Sequence, residues 1–229
     1  MTLDGVELIR LEDEEAAASF VADELVAAAR AGSSIALTGG KSPGRAYELA
    51  AERERDWSGA TLWWGDDRAV PPDDENSNYR LADDTLIRSL TGRPEIRRIR
   101  GELGAQAAAD EYDRLLEGEL LDLILLGLGP DGHAASLFPN QPTLDDRSRR
   151  AIPAEPTLEP FVARVTMTLP VLCSAPEVLF LATGESKADA VERAFAQPAS
   201  RNAPASLIRS SVGRTRLVVD EAAASRLPD

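Results

Sequence analysis

The single histidine of the chain, His133, lies in the segment GLGPDGHAASLFP, residues 127–139. An imidazole titrates near neutral pH, so it can take a proton from a reacting group as a general base. Asp131 stands two residues earlier, on a glycine loop that follows the apolar run LDLILL. Such a run is typical of a strand buried on both faces. A lone histidine is more often structural, but this placement predicts a catalytic role for His133.

A metal site is not expected in this chain. Its one cysteine, Cys173, stands far from His133 in the sequence, and the two residues offer no nitrogen and sulfur ligand set for a metal ion. Scattered acidic residues would have to supply every ligand. The chemistry at His133 is therefore expected to proceed without a metal.

The segment LTGGKSPGRA has the features of an anion-binding loop. Gly39 and Gly40 allow a close backbone approach, and the free amides at the start of a following helix favour negative charge. Lys41 and the hydroxyl group of Ser42 add hydrogen-bond donors. The segment is neither a dinucleotide fingerprint nor a Walker A loop, so a simple tight turn is the alternative.

Further polar residues stand near the ends of predicted strands. Arg68 and Asp66 follow the strand TLWW, where they orient a substrate or a catalytic group, or else form a solvated ion pair. Arg164 lies at one end of the segment ARVTMTLP. Lys187 is in the first turn after a glycine loop, an unfavourable place for a cation unless an anion binds there. We interpret this as a sign of phosphate binding, with a solvated helix lysine as the alternative.

The charge of the chain limits its partners. With 25 basic and 39 acidic residues the net charge is −14, which argues against nucleic-acid binding. An anionic substrate must be held by a local cluster of donors. No apolar run approaches the roughly 20 residues of a membrane span, and no secretory leader is visible. The lone Cys173 can form no intrachain disulfide, so we expect a cytoplasmic protein without a membrane partner.

Strands and helices alternate along residues 1–229. This order predicts one α/β domain with a mostly parallel central sheet and helices on both faces. Helices are predicted over 12–31 and in SPGRAYELAAER, NSNYRLADDTLI, GAQAAADEYDRLLEGE and SKADAVERAFA. The segment TRLVVDEAAAS is predicted as a strand followed by a helix. Sites in such folds lie at the carboxyl ends of the strands. Four polar loops are expected to converge there: 38–42, 65–68, 127–133 and 183–187.

Several of these segments together resemble the 6-phosphogluconolactonase family. They are LTGGKSP, WGDDRAVPPDDENSNY, GLGPDGHAASLFP, ARVTMTLP and FLATGESKADAV, in the family's order, and they cover about residues 33–190. GLGPDGHAASLFP is the most specific of them. The resemblance implies a Rossmann-like three-layer sandwich. It also implies hydrolysis of 6-phosphoglucono-1,5-lactone to 6-phosphogluconate in the oxidative pentose phosphate pathway, with no metal or organic cofactor.

The resemblance also implies roles for single residues. His133 matches the family's general base, which activates water. Apart from the resemblance, the chemistry of such a base calls for an acid that orients its imidazole, and this acid is either Asp131 or Asp66. The family's phosphate-binding and site-lining positions fall on Gly39, Gly40, Lys41, Ser42, Arg68, Arg164 and Lys187. The partner is then a small sugar phosphate lactone, and the chain is a monomer or a homodimer. The family's common DER triplet reads DDR here, which leaves the role of Asp67 open.

Two other functions are compatible with parts of the pattern. Aminosugar-phosphate isomerases or deaminases of the same superfamily share the aspartate at Asp66 and a DGH in the same loop. Their loop continues with a glutamate five residues after the histidine, where this chain has Phe138. A non-catalytic sugar-phosphate sensor often carries a DNA-binding helix-turn-helix domain, for which we expect neither the room nor the charge here. Both comparisons favour the lactonase.

Overall fold

The computed structural model describes residues 2–3 and 5–228. Its strands are β1 Thr2–Leu3, β2 Val6–Leu11, β3 Ser34–Leu37, β4 Thr61–Trp64, β5 Asp66–Arg68, β6 Glu95–Arg97, β7 Leu123–Gly127, β8 Ala151–Ala154, β9 Arg164–Met167, β10 Glu177–Ala182 and β11 Arg214–Asp220. Its α-helices are α1 Glu14–Arg30, α2 Lys41–Arg53, α3 Asn78–Thr85, α4 Ala105–Leu115, α5 Leu169–Leu172 and α6 Ala188–Phe195.

The central sheet has eight strands in the order β1-β2-β11-β10-β7-β3-β4-β6. The short β1 is antiparallel to β2, and every other neighbouring pair is parallel. This confirms the predicted α/β fold with a mostly parallel sheet. The apolar strand β7 lies between β10 and β3, and its residues 123–126 are buried. The loops that follow these three strands therefore lie side by side at their carboxyl ends.

Two of the helices begin at a capping side chain. Asp13 caps α1, and its carboxylate accepts a hydrogen bond of 2.8 Å from the backbone N–H of Ala16. Ser77 caps α3 in the same way. Helix α1 packs on α2 and on β11, and α4 packs on β8 and β9. Within the described part of the chain, no helix is both long and apolar enough to cross a membrane.

A second, antiparallel sheet has the strand order β5-β9-β8. The prediction of a polar loop over 65–68 is therefore wrong for residues 66–68, which form β5. The chain changes sheets at Gly65. Its N–H donates to the carbonyl of Leu37 in β3 (2.9 Å), and its carbonyl accepts from the N–H of Met167 in β9 (2.8 Å). β5 forms because it pairs with the distant strand β9. Its three residues are all polar, so they show no apolar pattern that would predict a strand.

The helix predicted after the last strand is also wrong. Residues 221–227 form turns. The carboxylate of Asp220 accepts a hydrogen bond of 2.8 Å from the N–H of Ala223, and Ala223 and Ala224 are buried. These contacts hold the segment against the core as a series of turns. A helix this short has little stability of its own to compete with them.

Candidate active site

A cleft opens at the carboxyl ends of β3, β7 and β10, where their loops meet the small sheet. Its first lobe has a volume of about 240 Å³, and a second lobe of about 340 Å³ adjoins it. The four loops expected to converge all contribute to this cleft. The predicted site residues that line the first lobe are Gly39, Gly40, Asp66, Arg68, His133, Arg164 and Lys187. Lys41 and Ser42 line the second lobe, and Asp131 lines neither.

The carboxylate of Asp131 lies against the imidazole of His133. Its Oδ1 is 2.5 Å from Nδ1 of the ring and 3.1 Å from the backbone N of His133, which donates to it. Burial alone would raise the pKa of Asp131, but the hydrogen bonds and charge of His133 outweigh it and lower that pKa. An ionised Asp131 holds the ring proton on Nδ1, which leaves the lone pair of Nε2 free to accept a proton. The pair has the arrangement of a general base and its orienting acid.

The glycines of this loop make room for the imidazole. A Cβ atom at Gly129 would lie 2.0 Å from Nδ1 of His133. The N–H of Gly129 donates to the carbonyl of His133 (2.8 Å), and Gly132 has a φ of +89°, which favours glycine. Residues 127–132 also have the spacing G-x-G-x-x-G, but no helix follows them directly, as a dinucleotide site would require.

Phe138 connects the imidazole to one of the arginines. Its ring is 4.8 Å from that of His133, and the guanidinium of Arg164 lies 5.4 Å from its centre. Phe138 is buried. The position five residues after the histidine therefore carries no acid that could assist His133, and it holds an aromatic platform for a cation instead.

Three cations line the first lobe of the cleft without an ionic partner: Arg68, Arg164 and Lys187. No described carboxylate lies within ion-pair distance of any of them. Arg68 donates to the side-chain oxygen of Asn78 (3.0 Å), and Lys187 donates from Nζ to the carbonyl of Leu128 (2.7 Å). Most other arginines of the described chain pair with carboxylates, so this cluster points to an anion that binds in the cleft.

Burial lowers the pKa of two of these cations. For Arg164, burial is the largest cause, and the positive charge of Arg68 acts in the same direction. For Lys187, burial outweighs the opposite effect of Asp131. Both shifts mean that the protein alone does not fully compensate the two charges. A bound anion would supply that compensation.

Asp66 belongs to a network separate from the imidazole. Its Oδ2 accepts a hydrogen bond of 2.5 Å from the hydroxyl of Ser136, and its Oδ1 accepts one of 3.2 Å from the side-chain amide of Asn78. Of the two acids left open by the sequence, Asp131 is therefore the one that contacts His133. Asn78 joins Asp66 to Arg68 and lines the cleft, a placement that the sequence analysis missed. Its position at the start of a predicted helix was the only available signal.

Asp67 organises the backbone behind the cleft. Its carboxylate accepts hydrogen bonds from the N–H groups of Arg68 (2.7 Å), Asn78 (2.6 Å) and Tyr79 (3.0 Å), and from the hydroxyl of Ser77 (3.2 Å). Burial raises its pKa to about 6, and the backbone hydrogen bonds oppose that rise. Asp67 thus joins β5 to the first turn of α3.

The first glycine loop is shaped by close contacts. A Cβ atom at Gly39 would lie 2.0 Å from the side-chain oxygen of Asn78, and Gly40 has a φ of +114°. The hydroxyl of Ser42 is 2.6 Å from that of Thr183, which ties this loop to the loop after β10. Lys41 is exposed at the second lobe.

Comparison with known proteins assigns the chain to a family. The family model described as glucosamine-6-phosphate isomerases/6-phosphogluconolactonase matches residues 12–217. The chain belongs to this family. It is 35% identical to a 6-phosphogluconolactonase of Streptomyces coelicolor, over 98% of this chain and 96% of that protein. It is 38% identical to a human 6-phosphogluconolactonase, over 73% of this chain and 68% of that protein.

Solved structures agree with this assignment. The crystal structure of 6-phosphogluconolactonase from Leishmania guyanensis matches with a TM-score of 0.84 and 27% identity, over 98% of this chain and 99% of that one. A monomeric glucosamine-6-phosphate deaminase matches with a TM-score of 0.83, but its 20% identity shows a shared fold alone. These findings confirm the predicted family and fold, and the sequence relatives named here are lactonases.

Proposed function

We propose that this chain hydrolyses 6-phosphoglucono-1,5-lactone to 6-phosphogluconate, with His133 as the general base. The observation that carries the proposal is the Asp131–His133 pair, whose imidazole lines a cleft lobe together with three cations that have no ionic partner. The lactonase names of its relatives support the same reaction. Phe138 takes the place of the acid expected in a deaminase, which favours the lactonase further.

In this proposal, Nε2 of His133 takes a proton from water as the water oxygen attacks C1 of the lactone. The C1 carbonyl becomes a tetrahedral oxyanion. When the carbonyl re-forms, the bond between C1 and the ring oxygen breaks, and the imidazolium returns its proton to that oxygen. The product is an open-chain acid, which ionises at neutral pH. Asp131 holds the imidazole in the required tautomer and stabilises the imidazolium.

The cations of the cleft have two tasks in this scheme. Lys187, Arg164 and the loop 39–42 hold the phosphate away from C1 and position the sugar ring. Arg68 or a backbone amide donates to the oxyanion at C1. The cleft is small and polar enough for a sugar phosphate, and the −14 charge of the chain makes such a local cluster necessary.

The catalytic demand of the reaction matches these residues. A lactone is an activated ester that hydrolyses slowly in water without help. One general base contributes about 10²–10⁴-fold, and donors at a developing oxyanion contribute about 10²–10³-fold. The scheme therefore requires neither a nucleophilic serine nor a metal ion.

We also propose a domain organisation, a cellular location and an oligomeric state for this chain. Residues 1–229 act as one domain, since most of the buried apolar side chains described belong to one hydrophobic cluster. The lone Cys173 and the acidic charge favour a cytoplasmic enzyme, a monomer or a homodimer, that binds no nucleic acid.

The direct test is the rate at which the lactone disappears. The lactone is generated in situ from glucose 6-phosphate, and spontaneous hydrolysis is subtracted. We expect acceleration by the wild type and a loss of about 10²–10⁴-fold in His133→Ala. Calorimetric binding of 6-phosphogluconate to His133→Ala is the control, and it should stay close to wild type. A wild type that does not exceed the spontaneous rate would disprove the proposed function.

A further inference from the structure

Outside the cleft, two carbonyl groups of the His133 loop are held by a guanidinium. Arg193, on α6, donates from Nη1 to the carbonyl of Asp131 (3.1 Å) and from Nη2 to that of Pro130 (2.8 Å). Its Nε donates to the carboxylate of Asp189 (2.8 Å), one turn earlier on the same helix. Among the described residues, no backbone amide donates to either carbonyl. Arg193 lines neither lobe of the cleft.

The contact with Asp131 bears directly on the imidazole. Asp131 presents its carbonyl to Arg193 and its carboxylate to Nδ1 of His133. The carbonyls of Pro130 and Asp131 belong to the two peptide groups that flank the Cα atom of Asp131, so holding both restrains the direction of the Cα–Cβ bond that carries the carboxylate. A guanidinium is planar and presents its donors in a fixed fork, which suits it to hold two successive carbonyls at once.

The segment around α6 thus holds the loop at three points. Lys187, in the turn before the helix, donates to the carbonyl of Leu128 from the cleft side. Arg193 holds the carbonyls of residues 130 and 131 from the other side. In both interactions a side chain donates to a backbone carbonyl. Side chains of one neighbouring segment thus restrain the loop that carries the base, together with the N–H of Ala205, which donates to the carbonyl of Gly132 (2.9 Å).

We propose that Arg193 is a positioning residue for the Asp131–His133 pair and acts through the backbone of Asp131. It touches no substrate. The inference rests on the proposed function, because positioning is expressed in the rate of lactone hydrolysis. Positioning by Arg193 also affects which ring nitrogen of His133 carries the proton, and this can be measured without substrate.

The kinetic test compares Arg193→Ala and Arg193→Lys with Arg226→Ala. Arg226 is the matched control, since it also pairs with Asp189 (3.1 Å) and contacts neither carbonyl. We expect kcat of Arg193→Ala to fall about 10- to 100-fold, as a displaced catalytic group predicts. KM should stay close to wild type, because the cations of the cleft are intact. Arg193→Lys should retain part of the rate, and Arg226→Ala should match wild type.

The second test reads the imidazole directly. His133 is the only histidine, so ¹⁵N-histidine labelling gives one ring spin system without assignment. We expect the wild type to carry its ring proton on Nδ1 and Arg193→Ala to shift toward the Nε2 tautomer. An unchanged tautomer together with an unchanged kcat in Arg193→Ala would overturn the proposal, as would a rise in KM with kcat preserved.

Two outcomes separate this inference from the proposed function. If the wild type hydrolyses no lactone, the proposed function fails, and the tautomer comparison still decides whether Arg193 positions the pair. If Arg193→Ala does not fold, Arg193→Lys provides the same readouts in a variant that keeps the charge. If Arg193→Lys then showed the wild-type tautomer and the wild-type kcat, the proposal would be overturned, because an ammonium group does not reproduce the fork by which a guanidinium holds both carbonyls.

Discussion

Arg68 and Arg164 stand directly opposite each other on the antiparallel strands β5 and β9. Like charges in this arrangement destabilise a sheet. Neither guanidinium has a carboxylate partner among the described residues, and the charge of Arg68 is one cause of the lowered pKa of Arg164. An anion bound by both guanidinium groups would offset their mutual repulsion. The phosphate ester of the proposed substrate is such an anion.

Replacing Arg164 by methionine should separate binding from stability. We expect the affinity of Arg164→Met for 6-phosphogluconate to fall by more than about tenfold, because a hydrogen bond to a charged group contributes about 1.5–3 kcal/mol. The ligand-free variant should melt no lower than wild type, because one of two facing charges is gone. Calorimetry measures both quantities. Arg147→Met, an exposed arginine outside the cleft, is the control, and equal affinities of the two variants would contradict the role of Arg164.

Asp131→Asn tests the orientation of the base. An asparagine has nearly the same size, but its neutral amide does not fix the ring proton on Nδ1 or stabilise an imidazolium. We expect kcat to fall at least about tenfold, within the range that a positioned base contributes. Binding of 6-phosphogluconate should be retained. The comparison with Ser136→Ala is informative, because that change removes the hydroxyl bound to Asp66 and leaves Asp131 untouched. A larger loss in Ser136→Ala than in Asp131→Asn would point to Asp66 as the orienting acid.

Gly129→Ala tests the contact between the loop and the imidazole. The new Cβ would lie 2.0 Å from Nδ1 of His133, so the ring or the loop must move. We expect most of the turnover to be lost, and a destabilisation of about 1–3 kcal/mol, as overpacking predicts. Urea unfolding and the lactone assay measure the two effects. In Gly59→Ala the nearest atom is 3.6 Å away, so this variant should remain fully active. Full activity in Gly129→Ala would show that the imidazole does not occupy this place.

Asp67 should impose a characteristic pH dependence on stability. Its folded pKa is about 6, against an ordinary value of 3.8. Between these values the folded protein retains a proton that the unfolded chain has released, so the contribution of Asp67 to stability falls as the pH rises. Above the folded pKa the contribution is constant. The free energy of unfolding of wild type minus that of Asp67→Asn should therefore decline from about pH 4 to about pH 6. A difference that rises over this interval would contradict the direction of the shift.

The sequence was most informative where structure depends on local pattern. The apolar run of β7 predicted a buried central strand, and glycines after β3, β7 and β10 marked the loops that meet at the cleft. The helices predicted over 12–31 and in NSNYRLADDTLI also form, as α1 and α3, because a capping side chain such as Asp13 or Ser77 acts within a few residues of its own position.

The features that were missed depend on contacts between distant residues. Strand β5 exists because Asp66 to Arg68 pair with β9, almost a hundred residues later. Asn78 enters the cleft because it bonds to Asp66, and Arg193 reaches the His133 loop across 62 residues of sequence. Neither residue type is unusual on a helix, so no local pattern distinguishes the two positions from solvated ones. Asp131 and Asp66 were likewise equivalent until the fold placed one of them beside the imidazole.

Gly65 connects the two sheets that carry the cations of the cleft. Its N–H donates to the central sheet and its carbonyl accepts from the small one, so this residue joins the two sheets near the cations. Arg68 and Arg164 lie on the small sheet, and Lys187 lies in the turn that follows β10 of the central one. An anion held by all three adds a further link between the two sheets. The substrate is then a temporary structural member of the enzyme, and each product release removes one link between the two sheets.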